Sequence, residues 1–208
     1  MNSGILITFE GTEGAGKSTL IREVARQLKR LGYTRIVQTR EPGGTPVAEK
    51  IRNVILEKSM DPRAELFLYE AARAEHVAKT ILPALKKNSI VLCDRYADSS
   101  LAYQAHARGL PWKEVKALNH IATQGLRPHL TVLLDIDPAR GLKRAQDKNR
   151  FEDEGVLFQK KVRQGFLKAA REEPKRWIRI SARGTPEVLG GKVVTEILNR
   201  LAKKSRGK

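Results

Sequence analysis

The stretch Gly11-Thr12-Glu13-Gly14-Ala15-Gly16-Lys17-Ser18 restricts this chain more than any other, because it satisfies every fixed position of the pattern G-x-x-x-x-G-K-[ST]. Its flanks agree. Ile5-Leu6-Ile7-Thr8-Phe9 is a short apolar run of strand type, and Leu20, Ile21, Val24, Ala25, Leu28 and Leu31 recur at helical spacing. Between a strand and a helix, such glycines let successive N–H groups turn inward around phosphate oxygens while the helix dipole points its positive end at the same place. Lys17 then reaches the outer phosphates and Ser18 supplies an oxygen to a phosphate-bound magnesium; with Thr19, residues Gly11 to Ser18 make up the expected nucleotide-binding set. The alternative is a glycine-rich turn capped by a helix and holding no ligand, which leaves the Lys-Ser pair without a reason.

Around this loop the periodicity alternates between strand and helix. Apolar runs at 35–39, 90–93, 131–136 and 177–181 join 5–9 as five strands, separated by segments of helical spacing. That alternation predicts an α/β domain: a five-stranded parallel sheet with helices on both faces. A length of 208 residues suits one domain of this kind, 1–208, and is short for two. Thr45-Pro46 and Asp61-Pro62 read as helix starts, Val47, Ile51, Val54 and Ile55 as the apolar face of the first of these helices, and Pro83 as a break or bend in the second. Ser99 to Ala107 reads as a helix, and Trp112, Val115, Leu118, Ile121 and Ala122 as one face of the next. Gly190-Gly191 should weaken the last helix by ~1 kcal/mol each relative to alanine.

Composition narrows the function. Cys93 is the only cysteine, so an internal disulfide is excluded; it sits in an apolar strand, and the four histidines show no ligand spacing, so no metal is assigned to them. No run approaches the ~20 apolar residues of a membrane span and the N-terminus enters the first strand directly, so a soluble, cytoplasmic protein is expected. The net charge of +17 favours polyanionic partners in general. Part of it is a basic tail at 203–208, read as a solvated end. Between Arg144 and Glu154 the chain turns sharply polar around Phe151, a candidate lid (144–154) or an ordinary pair of solvated helix ends.

Two apolar strands run into aspartate, Asp94 and Asp135, and either could complete a magnesium site with Ser18. Asp94 has the stronger case, because Arg95 beside it brings a planar, permanently charged fork to the same strand end, where ligands bind in open α/β sheets. Phosphoryl transfer needs positioning and charge stabilisation, which Lys17, Arg95 and an arginine from the polar segment are suited to give. A structural salt bridge is the other reading of Arg95.

Here a resemblance becomes specific. Leu92-Cys93-Asp94-Arg95-Tyr96-Ala97-Asp98-Ser99-Ser100-Leu101-Ala102-Tyr103-Gln104 is similar to the signature of thymidylate kinases, and so, in the expected order, are Phe9-Glu10-Gly11, Arg40-Glu41-Pro42-Gly43-Gly44-Thr45, Ala72-Arg73, Leu134-Asp135-Ile136-Asp137-Pro138 with Gly141-Leu142, and Arg150-Phe151-Glu152. The likeness runs from about Ile5 to Ala182. It implies a P-loop nucleoside monophosphate kinase fold with a short lid, and transfer of the γ-phosphoryl group of ATP to dTMP with magnesium in a homodimer, for dTTP synthesis. It also implies that Glu13 accepts a hydrogen bond from the deoxyribose 3′-hydroxyl and that Arg95 binds the dTMP phosphate. Arg73 would bond the thymine ring, with Tyr69 stacking on it where the family usually has phenylalanine, and Ser99, Ser100, Tyr103 and Gln104 would line the nucleoside pocket. Asp94 belongs to both the acceptor and the metal site. Bacterial relatives with Glu-Gly-Ala in the phosphate loop place a catalytic arginine in the lid, which points to Arg150, with Arg144 second. The chain departs from the family at Ala105, where glycine is common, and at Asn149, where relatives often carry aspartate. A kinase for another nucleoside or nucleoside monophosphate is the alternative within enzymes. A basic nucleic-acid-binding ATPase is the alternative outside that class, and the lack of interleaved aromatic and basic residues weighs against it.

Overall fold

The computed structural model describes residues 4–57, 59–144 and 154–206. Five strands, β1 (Ile5–Glu10), β2 (Ile36–Arg40), β3 (Ile90–Asp94), β4 (Leu130–Asp135) and β5 (Trp177–Ser181), form one sheet in the order β2-β3-β1-β4-β5. Every pairing is parallel, with Ile7 opposite Leu92 on one side and Leu130 on the other. The order reverses direction at β1, so the crevice that takes ligands in such sheets opens at the carboxyl end of β1, where the phosphate loop begins.

Side-chain alternation along β1 assigns its two faces. Ile5, Ile7 and Phe9 pack under α1 (Lys17–Arg30) and the last helix, α9 (Pro186–Arg206), together with Leu92, Val132 and Leu134. Leu6, Thr8 and Glu10 turn to the other face, where Leu6 meets Val77, Ile81 and Leu85. That face is covered by α3 (Pro62–His76), α4 (Leu82–Lys86), α5 (Ala97–Ser100) and α8 (Gly155–Glu172), while α2 (Pro46–Glu57), α6 (Trp112–Ala122) and α7 (Pro138–Arg144) complete the described helices.

Several sequence expectations shift in detail. Pro83 does not end its helix: a π-helical stretch, Val77–Ile81, precedes it and the helix continues through α4. Proline lacks an N–H and crowds the carbonyl four residues back, and a wider turn accommodates both. The helix expected over 99–107 starts at Ala97 and is π-helical over Leu101–Ala107. On α2 the buried residues are Ala48 and Ile55, whereas Val47 and Val54 are about half exposed; Ile121 on α6 is exposed as well. The last helix runs through Arg206. Gly190 costs α9 some intrinsic stability but permits close packing, since a Cβ there would lie 2.9 Å from Glu23 Cγ and Gln27 Nε2 of α1.

Candidate active site

The phosphate loop leaves β1 at Gly11 and enters α1 at Lys17, placing Ser18 and Thr19 in the first helical turn. Lys17 is buried, and its Nζ donates to the carbonyls of Gly11 (3.3 Å) and Thr12 (3.2 Å), so the ammonium closes the loop on itself. Burial first, and then Arg95, hold that ammonium below its ordinary pKa despite Asp94, Glu13 and Glu10. Gly14 packs on the backbone of Gly141 in α7: a Cβ on Gly14 would meet Gly141 O at 1.9 Å, and one on Gly141 would meet Glu13 O at 2.4 Å. The Gly141-Leu142 likeness thus acquires a cause, because only a residue without Cβ lets α7 touch the loop.

At the end of β3, Ser18 Oγ donates to Asp94 Oδ2 at 2.7 Å. Two hard oxygen donors this close at the mouth of a phosphate loop fit magnesium. Asp135 is engaged differently: Arg163 and Arg179 both donate to it, and although burial raises its pKa their pull outweighs burial and leaves the carboxyl below its ordinary value. Of the two strand-end aspartates, only Asp94 meets Ser18.

Arg95 stands in the left-handed region at φ 67°, which an L-residue occupies only when its surroundings hold it. Its N–H donates to Phe9 O at 3.0 Å, Nη1 to Gly11 O at 3.0 Å and Nη2 to Glu13 Oε1 at 2.5 Å. Tyr103 adds its hydroxyl to the same Glu13 oxygen at 2.9 Å and presents its ring to the Arg95 guanidinium 5.1 Å away. Burial pushes Glu13 up, but Arg95, Lys17 and the Tyr103 hydroxyl together bring its carboxyl below the usual range. A carboxylate of the phosphate loop is thereby joined to the pocket beyond it.

That pocket is lined by Glu13, Glu41, Pro42, Arg52, Leu56, Tyr69, Arg95, Ser99, Tyr103 and Gln104. Five of the expected acceptor residues, Glu13, Tyr69, Ser99, Tyr103 and Gln104, meet there with Arg95. Ser100 and Arg73 lie behind it. Arg73, 1% exposed, is enclosed by Glu41, Glu70, Ser100, Asn119 and the Tyr96 carbonyl. Arg150 and most of the proposed lid lie outside the described residues. Arg52 and Leu56, which share a helical face with Ile55, and Glu41, in the stretch 40–45, carry no signal in the sequence that marks them as pocket residues. Glu41, His76 and Cys93 place ligand atoms within 4.8 Å of one another, the one such group among the described residues. Each atom already serves the protein: Glu41 holds Arg73 and His76, the other His76 nitrogen meets Thr39 Oγ1 at 2.7 Å, and Cys93 Sγ meets the Arg95 carbonyl at 3.0 Å.

A sequence model of the family described as thymidylate kinase matches residues 9–192. The chain belongs to the thymidylate kinase family. It is 50% identical over 191 residues to the thymidylate kinase of Syntrophotalea carbinolica, covering 86% of this chain and 88% of that one. With the thymidylate kinase of Pelobacter propionicus it shares 46% over 211 residues, covering 95% and 96%. The crystal structure of thymidylate kinase from Ehrlichia chaffeensis superposes with a TM-score of 0.77 at 31% identity, covering 93% of this chain and 98% of that one. Family and fold therefore agree along nearly the whole chain. No helix among the described residues is long and apolar enough to cross a membrane.

Proposed function

We infer that this chain transfers the γ-phosphoryl group of ATP to dTMP, giving dTDP and ADP in dTTP synthesis, and that the two substrates meet at the junction of Glu13, Arg95 and Tyr103. The activity follows from family membership. The residue assignments rest on one observation: a single carboxyl oxygen of the phosphate loop accepts from both Arg95 and Tyr103, which line the adjoining pocket.

In this reading the N–H groups of residues Gly11 to Ser18 and the Lys17 ammonium hold the ATP phosphates, and Ser18 with Asp94 would hold magnesium, which when bound offsets phosphate charge. Glu13, ionised by its cationic neighbours, accepts the sugar 3′-hydroxyl. Arg95 turns its fork to the dTMP phosphate, keeping acceptor and donor in line. Tyr69 offers its ring to thymine, Ser99 and Gln104 offer polar groups along the pocket wall, and Arg73 and Ser100 hold that wall from behind. Arg150 closes on the phosphates, with Arg144 as the second candidate. Removing the 3′-hydroxyl from dTMP should lower kcat/KM about 10- to 100-fold in the native protein, the range of a hydrogen bond to a charged group, and little further in Glu13→Ala. Equal losses in both would separate Glu13 from the sugar.

We also read the protein as a homodimer working in the cytoplasm. Val47 and Val54 of α2, Phe67 of α3 and Ile121 of α6 are exposed apolar side chains on packed neighbouring helices, a surface suited to a second copy. Light scattering should give twice the chain mass, and Phe67→Glu should shift it toward one.

A further inference from the structure

Glu10 is the last residue of β1 and lies on the Leu6 and Thr8 face, so a fully buried carboxyl group stands directly before the phosphate loop. Oε1 accepts the Tyr96 N–H at 2.8 Å, and Oε2 lies 2.6 Å from Ser99 Oγ. Both contacts cross from β1 to the segment after β3, to Tyr96 in the turn and to Ser99 in α5. The same crossing carries the bonds from Arg95 N–H to Phe9 O and from Arg95 Nη1 to Gly11 O. The left-handed Arg95 backbone is therefore clamped on both sides by residues 9 to 11, and Glu10 holds the half nearest the pocket.

We propose that Glu10 is a positioning residue of the acceptor site, one oxygen setting the turn that presents Arg95 and the other setting the direction of the Ser99 hydroxyl hydrogen. This rests on the reading that the pocket lined by Ser99 and Arg95 takes dTMP. A hydroxyl carries one hydrogen. When Glu10 is an acid, its O–H donates to Ser99 Oγ, and the serine hydrogen is free to donate into the pocket. When Glu10 is a carboxylate, Ser99 commits that hydrogen to Oε2 and offers only lone pairs. The phosphate, sugar and thymine oxygens of the acceptor are hydrogen-bond acceptors, so the acid form, which frees the serine hydrogen for them, is the one that favours dTMP.

The surroundings place the switch in an accessible range. Burial pushes the Glu10 carboxyl up to about 8, with Asp98 of α5 adding to it and Ser99, Arg95 and the Tyr96 N–H opposing. Asp98 is itself paired with Arg176. Lys17 of α1 and Cys93 of β3 also feel the Glu10 charge, Asp94 ends the neighbouring strand opposite Phe9, and the β4 register partner is the apolar Leu133.

The test is the KM for dTMP from pH 6.5 to 9.5, at saturating ATP and magnesium, in the native protein, Glu10→Gln and Ser99→Ala. Glutamine still accepts from Tyr96 and donates to Ser99 but does not ionise. Native KM should rise several-fold through a group near 8, with kcat changing less. Glu10→Gln should keep KM within about 3-fold of native at pH 7 and show no such rise. Ser99→Ala should have a higher KM that is flat with pH, and it decides the matter if Glu10→Gln does not fold. Superimposable pH curves for native and Glu10→Gln, or a Ser99→Ala curve that keeps the native rise, overturn the proposal. A native protein that turns over no dTMP at any pH overturns the acceptor reading, and the proposal with it, which separates the two failures.

Discussion

Replacing Arg73 by methionine should be among the most destabilising single changes in the chain. Methionine keeps an unbranched stem of similar reach but removes a guanidinium that donates to Glu41 Oε2 at 2.8 Å, to Glu70 Oε1 at 2.5 Å, to Asn119 Oδ1 at 2.8 Å, to Ser100 Oγ at 3.0 Å and to Tyr96 O at 3.1 Å. The two carboxylates left behind have side chains only 2% and 8% exposed, so water does not replace the lost partner. Breaking a buried ion pair by removing one member costs about 3–5 kcal/mol. For a chain of this size each kcal/mol moves the melting temperature by about 2–4 °C, so the drop should be about 6–20 °C. Thermal melts and urea titrations read this directly, and the KM for dTMP should be measured beside them. Adding Glu41→Gln and Glu70→Gln should recover a large part of the loss, because the stranded charge goes with the cation. A single variant that melts within about 2 °C of native while losing dTMP affinity would refute the argument and make Arg73 a base contact whose acidic neighbours are incidental.

Three further perturbations probe other parts of the site. Lys17→Ala should lower kcat about 100- to 1,000-fold while unfolding stays cooperative; turnover near native would remove the lysine from the phosphates. Gly141→Ala should force the phosphate loop away from α7, destabilise by about 1–3 kcal/mol and raise the KM for both substrates, whereas unchanged kinetics would mean the contact at Glu13 O yields freely. Glu10 holds its proton in the folded protein up to about pH 8 but releases it near 4.5 when unfolded. Its contribution is complete below the unfolded value and is lost as pH rises toward the folded one, so native stability should fall relative to Glu10→Gln across that window, by about 1 kcal/mol per pH unit. Parallel stability curves would contradict this.

What was legible in the sequence was mostly local. The apolar run of β1, the G-x-x-x-x-G-K-[ST] loop and the Asp61-Pro62 start each involve neighbours within a few residues, and Asp61 indeed caps its helix by accepting from the Arg63 and Ala64 N–H groups. What escaped depends on distance. Arg73 is held by residues 32 positions upstream and 46 downstream, partners that no spacing rule reveals. Val47, Val54 and Ile121 obey the helical period yet face outward, because a single sequence does not say whether an apolar stripe meets its own core or another copy. Of the two π-helical stretches, the one before Pro83 is marked in the chain by the proline, whereas nothing in the local sequence marks the one after Ser100. Glu10 enters the sequence only as the middle of Phe9-Glu10-Gly11, with no role attached to it. Its meaning depends on Ser99 and Tyr96, which reach it across the sheet.

If the phosphate loop and the pocket beyond Glu13 form one two-substrate site, that site is selective for dTMP. An acceptor panel of dTMP, dUMP, dGMP and thymidine, each with ATP and magnesium and read by ADP release and dTDP formation, tests that selectivity most directly. dTMP should give the highest kcat/KM, with one dTDP formed per ADP released. A higher kcat/KM for any other member of the panel, or ADP released without dTDP, would contradict it.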